Sequence, residues 1–203
     1  MVKKREGVAM ADRKKLIVEA AAKSFSEFGY KATTMDHVAR RAGVGKGTIY
    51  TFFKNKEELL QYIMESLIAE MKHSAEEAID ARYSFHENVH HVLYQLLEFR
   101  FKHQLAIKLY EEVNLGTPEV VDALHHVEES ILNYISQYIG EAVQKGDIYP
   151  CDPKLTAFIM FKMYIALIFD WEKNHPPLSK EEISKLFELY FFKGLSAESH
   201  VCS

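Results

Sequence analysis

Two stretches of this 203-residue chain carry side chains whose type and spacing could do chemistry. In the first, Lys46, Gly47, Thr48, Tyr50 and Thr51 crowd together, Lys54 and Lys56 follow, and Thr34 stands one short helix upstream. Apart from Gly47 these are hydrogen-bond donors, and no nucleophile sits beside a base among them. A lysine at position 46 can donate to the acceptor edge of guanine, and Thr51 can meet a base edge or a thymine methyl. Thr48, Tyr50, Lys54 and Lys56 suit phosphate oxygens, contacts that fix position rather than read sequence. Gly47 removes side-chain bulk where a backbone would approach a groove. Thr34, at the start of its own helix, could hold one more phosphate. Lys3, Lys4, Arg5, Arg13, Lys14 and Lys15 could add an electrostatic arm.

The second stretch is His86-Glu87-Asn88-Val89-His90, a literal H-E-x-x-H. Histidines four apart share a helix face and could hold one zinc, with the glutamate as base. A metal-dependent hydrolase or a metal-sensing regulator using His86 and His90 is therefore the alternative reading. No clear third ligand follows, and the adjacent pairs His90-His91 and His125-His126 diverge by about 100° on a helix, too far to chelate one ion together. No Gly-rich phosphate loop, nucleophile elbow or Cys/His catalytic constellation is present. The expectation is a protein that is not an enzyme, with no cofactor and no metal site.

The elements that must position these residues read as helices almost throughout, about nine in all. Leu16, Ile17, Ala20, Ala21, Phe25 and Phe28 recur at helical spacing, and Gly29 ends that run. Thr33 and Thr34 are cap candidates, Asp36 completing a Thr-x-x-Asp pattern from Thr33. A short helix follows to Gly43, and another covers about Lys46 to Phe52. Asn55 can cap a long helix from Lys56. Further helices are predicted from about Phe85 to His103 and from Ala106 to Val113. The next run from Pro118 to Lys145, from beyond Pro153 to about Asn174, and from Ser179 to Gly194.

The segment 34–53 thus forms two short helices across a tight turn, with Val38, Val44, Ile49 and Phe53 as the seal. In such a helix-turn-helix the N-terminal part of the second helix enters the major groove. Charge agrees: residues 1–56 hold 13 Lys/Arg against 5 Asp/Glu, a net of +8, whereas the other 147 hold 12 against 24, a net of -12. A basic head on an acidic body points one end of the chain at a polyanion.

Phe25, Gly29-Tyr30, Thr33-Thr34, Val38-Ala39, Ala42-Gly43-Val44, Gly47-Thr48-Ile49-Tyr50 and Phe53 to Leu59 resemble the tetracycline-repressor (TetR) family of bacterial transcriptional regulators. The resemblance covers about residues 12–60, and it departs at Thr51 and at Phe52, which cannot hydrogen-bond. It implies an all-α fold with a three-helix DNA-binding domain at 1–56 and a ligand-binding and dimerisation domain at 57–203. It implies a homodimer paired through its last two helices, a ligand pocket in each body, and release from a double-stranded DNA operator when ligand binds.

Within the body, an aromatic-rich set suits a bulky hydrophobic effector between helices. Tyr94, Leu97, Phe101, Tyr110, Phe161 and Tyr164 are the predicted lining, with Glu98 or His91 as polar anchor. The stretch Leu155–Trp171 is apolar nearly all round, as is the final helix, so each needs cover on two sides. Phe158, Ile165, Phe169, Phe187, Tyr190 and Phe191 are the predicted two-fold interface. Two cysteines cannot build a disulfide framework, and the longest apolar stretch is too short to span a bilayer. With no signal-peptide pattern, the expected location is the cytoplasm.

Overall fold

The structure is a computed structural model that describes residues 2–102, 104–113 and 116–192. Helices follow one another as α1 (Val2–Phe28), α2 (Met35–Arg41), α3 (Lys46–Phe52), α4 (Lys56–Ala78), α5 (Phe85–Lys102), α6 (Gln104–Val113), α7 (Pro118–Lys145), α8 (Pro153–Ile165) and α9 (Lys180–Phe187). No β-strand forms among the described residues. Helix α8 runs on through a π-helical turn, Ala166–Asp170, and a 3-10 turn, Trp171–Lys173, and α9 through a π-helical turn, Glu188–Phe192. No described helix is long and apolar enough to cross a membrane.

Two compact units result, and they interleave along the chain. One joins Met1–Ala69 with Lys102–Val127; the other joins Glu70–Phe101 with Glu128–Ser203. The partition cuts across the charge division at residue 56: α6 and the start of α7 fold with the basic head, although the sequence between them and α4 does not.

In the first unit, Ile17, Ala21, Phe25, Val38, Ile49 and Leu59 are wholly buried. Leu16 and Phe28, predicted on the same stripe, are about half exposed. At the end of α1 the chain reverses through Gly29 at φ +83°. A β-carbon there would be strained and would overlap the carboxylate of Glu112, which α6 brings against this turn. Glu112 is itself buried, and its Oε2 has no hydrogen-bond partner among the described residues. Thr33 is also buried rather than capping: its hydroxyl donates to the carbonyls of Gly29 at 2.8 Å and Ser24 at 3.2 Å. The cap of α2 is Thr34, whose Oγ1 accepts from the His37 N–H at 3.2 Å. The Thr33–Asp36 pairing suggested by sequence does not form.

The second unit is built around Leu93, Leu97, Ile139, Ala142, Ala157, Ile168, Ile183 and Phe187. Its helix starts are closed by side chains as short-range chemistry predicts: Asp152 accepts from the N–H groups of Lys154 and Leu155, and Ser179 forms a reciprocal box with Glu182. These local closures satisfy backbone donors that a buried helix end would otherwise leave unpaired.

Candidate nucleic-acid interface

The basic unit fixes α3 from beneath and from its start. Ile49 has no exposed surface and Phe53 only 2%, so the inward face of a seven-residue helix is anchored by one residue and its C-cap. Gly43, at φ +67°, makes the turn from α2: its N–H reaches the carbonyl of Arg40 at 3.2 Å, and the Val44 N–H reaches that of Ala39 at 3.0 Å. This paired closure is a Schellman motif, and glycine takes the left-handed conformation without β-carbon strain. The end of α1 is tied to the end of α2 by Arg41, whose guanidinium meets Glu27 with two parallel bonds of 2.7 Å. That fork holds the Glu27 carboxyl below its usual range and pushes Arg41 up.

With the inner face sealed, Lys46, Gly47, Tyr50 and Thr51 are exposed, as are Thr34 and Lys54; Thr48 is half-buried. Tyr50 stands 45% exposed, which leaves its hydroxyl free to reach outward. Thr51 donates its hydroxyl back to the Thr48 carbonyl at 2.7 Å, which leaves its oxygen lone pairs and methyl for a base. Lys46 Nζ is 2.8 Å from Asp36 Oδ2, and that carboxylate raises the lysine's pKa. Asp36 was not among the predicted site residues; its place two residues before a buried Val38 hides its reach toward α3 in sequence.

Lys56 departs from the phosphate-contact expectation. Its ammonium donates to the carbonyls of Tyr30 at 2.7 Å and Thr33 at 2.9 Å, and lies 4.1 Å from the centre of the Tyr30 ring. Burial lowers its pKa. It is a strut between α4 and the turn after α1. Lys14 is similarly engaged, 3.8 Å from the centre of the Tyr62 ring, so the predicted basic arm loses one member to internal packing. The side chains of Lys3, Lys4 and Arg5 lie outside the described residues.

The H-E-x-x-H motif resolves into a helix cap. Glu87 Oε2 accepts from the Ser84 N–H and from its hydroxyl, each at 2.8 Å, while Ser84 Oγ accepts from the Glu87 N–H at 3.2 Å. Those bonds lower the Glu87 pKa, the opposite of what a general base at neutral pH needs. No group of three metal-ligating side chains forms among the described residues. The hydrolase alternative built on His86 and His90 is not supported.

The predicted effector set divides. Leu97 belongs to the core at 1% exposure, and Tyr164 turns its hydroxyl toward the Leu96 carbonyl at 3.4 Å. Tyr94 instead is exposed, donating to Glu181 Oε1 at 3.1 Å with the Lys180 ammonium over its ring. His91 packs edge-on to Tyr83, and Phe161 is half-buried with Lys162 beside it. The side chains of Glu98, Phe101 and Tyr110 lie outside the described residues. A polar feature outside the predicted lining lies on α7: the Tyr134 hydroxyl is buried, and its ring centre stands 5.4 Å from that of Tyr138. Nearby Lys72 donates to Ser130 at 3.1 Å, its ammonium 5.6 Å from the centre of the Tyr134 ring.

The predicted interface residues also separate. Phe187 is 2% exposed inside its own unit and is therefore core, while Phe169 and Phe191 pack partly against that core. Ile165 is half-buried. Phe158 and Tyr190 are exposed, and so are Leu155, Ile159 and Leu189, which carry the same apolar character.

Comparison with known proteins agrees with this geometry. Residues 17–63 match the family model described as bacterial regulatory proteins, tetR family. The chain is 60% identical over 187 residues to the HTH-type transcriptional regulator YhgD of Bacillus subtilis, covering 92% of this chain and 98% of that one. It is 27% identical over 162 residues to the fatty acid metabolism regulator protein of the same organism, covering 78% and 82% of the two. Among solved structures, the fatty acid degradation regulator FadR of Bacillus halodurans superposes with a TM-score of 0.73 at 21% identity, over 87% and 93% of the chains. AibR in complex with isovaleryl coenzyme A and operator DNA does so with a TM-score of 0.63 at 24% identity, over 87% and 97%.

Proposed function

This chain belongs to the tetR family of bacterial regulatory proteins and is a helix-turn-helix transcriptional regulator, and from that premise we propose that it represses by binding a palindromic operator as a homodimer. The observation that carries the DNA half of the reading is the outward face of α3. Lys46, Gly47, Tyr50 and Thr51 are exposed while Ile49 is sealed beneath them. Lys46 and Thr51 are the base readers, and Thr34, Thr48, Tyr50 and Lys54 position the phosphates. Lys56 orders the head from within.

The exposed apolar residues Leu155, Phe158 and Ile159 on α8, with Leu189 and Tyr190 after α9, supply the face for a second copy. Two-fold pairing would set half-site centres about one helical turn apart, ~34–36 Å. The regulator acts in the cytoplasm, where its operator is.

The effector half rests on the second unit. There the Tyr134 phenol is buried beside Tyr138, their ring centres 5.4 Å apart. Lys72 beside Tyr134 favours an effector with an anionic or carbonyl-bearing head. The relative named for fatty acid metabolism and the neighbour bound to isovaleryl coenzyme A support an acyl compound as the hydrophobic ligand. Such a ligand relieves repression only by binding the DNA-incompetent arrangement more tightly. Helix α4, shared by both units, is the covalent route between the ligand-binding part and the head.

Selection from a randomised duplex library by the full-length protein tests the DNA half. The expected outcome is an enriched inverted repeat, and a library that stays random overturns it. Titrating isovaleryl coenzyme A and octanoyl coenzyme A against the selected duplex tests the effector half. Release by either supports it; retention of the duplex at saturating concentrations of both rejects the acyl assignment.

A further inference from the structure

Lysine and aspartate stand opposite one another across the two helices of the DNA-binding motif. Asp36 lies in the first turn of α2 and Lys46 opens α3, and their charged groups meet at 2.8 Å with both side chains more than half exposed. A surface ion pair of this kind adds little to stability. Its position gives it another consequence.

A lysine on a DNA-reading helix has two competing uses. As a bare charge it binds any phosphate, releases a counterion and adds affinity for every sequence alike. As a directed donor it can select guanine O6 and N7. Neutralising its charge weakens the first use, and fixing its ammonium strengthens the second. Asp36 does both, because the pair carries no net charge and takes only one of the three ammonium hydrogens. Two donors remain, held at the start of α3 where the groove is read.

We propose that Asp36 is a specificity-positioning residue: paired with Lys46, it converts that lysine from a phosphate contact into a base reader, without touching a base itself. This rests on the reading of α3 as the DNA-contacting helix. The bland account of Asp36 is stabilisation of the α2 dipole by an acidic residue in its first turn. The two accounts differ in what they do to base preference.

The experiment is selection of duplexes from a randomised library by full-length wild type, D36N, D36E, K46A and D36N/K46A, with salt-dependent affinities for one random duplex. D36N and K46A are expected to relax the same base positions, each lowering discrimination there by about tenfold, within the range that a good directed contact supplies. The double variant should relax those positions no further than K46A alone, and D36E should restore them. D36N should also steepen the logarithmic salt dependence on the random duplex by about 0.9, one further phosphate contact. The proposal is overturned if D36N keeps the wild-type preference while binding all duplexes more tightly, since that is a generic charge effect. Relaxation at positions that K46A leaves intact overturns it as well, being the mark of a disturbed α2. A wild type that selects no site at all would reject the DNA-contact reading itself, a different and recognisable failure.

Discussion

Lys56 donates to the backbone carbonyl of Tyr30 at 2.7 Å and places the same ammonium 4.1 Å from the centre of that residue's ring. A third contact, to the Thr33 carbonyl, makes this one cation the link between the start of α4 and the turn leading into α2. The lysine therefore acts on the orientation of the DNA-binding head before any DNA is present.

Replacing Lys56 by Met keeps the stem but removes a donor from both carbonyls, of which that of Tyr30 keeps the Thr33 N–H at 3.2 Å. Loss of about 1–3 kcal/mol of stability is expected, the usual cost of stranding a buried acceptor, here the Thr33 carbonyl. Urea unfolding followed by circular dichroism measures it. Lys54→Ala, by contrast, should leave stability unchanged and flatten the salt dependence of DNA binding. An unaltered midpoint for Lys56→Met would return that residue to the phosphate-binding set.

Burial raises the Tyr30 phenol from its ordinary value to about 12. A proton held more tightly in the folded state stabilises it fully below the unfolded pKa near 10, and that stabilisation is lost as pH rises through 12. Lys56, lowered by burial, has the opposite sign: the folded state binds its proton less tightly than the unfolded chain, so this contribution grows as pH rises toward the unfolded value. Thermal melts between pH 9 and 12 should show a shallower alkaline loss in Tyr30→Phe than in wild type. Identical slopes would remove Tyr30 from the account.

Gly29 and Glu112 share one small space. Gly29→Ala is expected to cost more than 1 kcal/mol, because the left-handed backbone is strained with a β-carbon and the added methyl meets the Glu112 carboxylate. Glu112→Ala should relieve the overlap but not the backbone strain, so the double variant should be more stable than the two single losses predict. Strict additivity in denaturant midpoints would show that the carboxylate moves aside at no cost.

Phe187 and Tyr190 lie three residues apart, the first buried in its own unit and the second exposed. Phe187→Ala is expected to lose about 3–5 kcal/mol of stability, as a large deletion from a closed core. Tyr190→Glu should leave secondary structure intact and shift the protein from dimer to monomer, read by light scattering after size exclusion. A Tyr190→Glu protein that stays dimeric would move the interface elsewhere.

Glu87→Ala should lower the melting temperature by opening the cap at the start of α5, while His90→Ala should change neither the melt nor its response to added zinc. Stoichiometric zinc in wild type that disappears with His90→Ala would revive the metal-sensing alternative.

The helix-turn-helix was legible in the sequence because its signals are local. Gly43 is needed where only a left-handed residue closes the turn, Asn55 accepts from Glu58 as an N-cap should, and Val38, Ile49 and Phe53 fall on the sealed face. The segregation of positive charge into residues 1–56 needed no coordinates either. Tertiary structure decided the rest, since it concerns which partner each side chain finds. A lysine's long stem reaches a phosphate or a carbonyl equally well, so Lys56 and Lys54 look alike until the turn after α1 is placed. Periodicity marks Phe187 and Tyr190 both as apolar but cannot tell a core within one chain from a face awaiting another. The H-E-x-x-H spacing fits zinc in any helix, and the Ser84-x-x-Glu87 box that makes the glutamate a cap is a local signal that the zinc pattern overlies. The meeting of Glu112 with Gly29 joins residues far apart in the chain, and nothing local encodes it. Short-range stereochemistry is written residue by residue, whereas the choice among equally good long-range partners is made only when the helices pack.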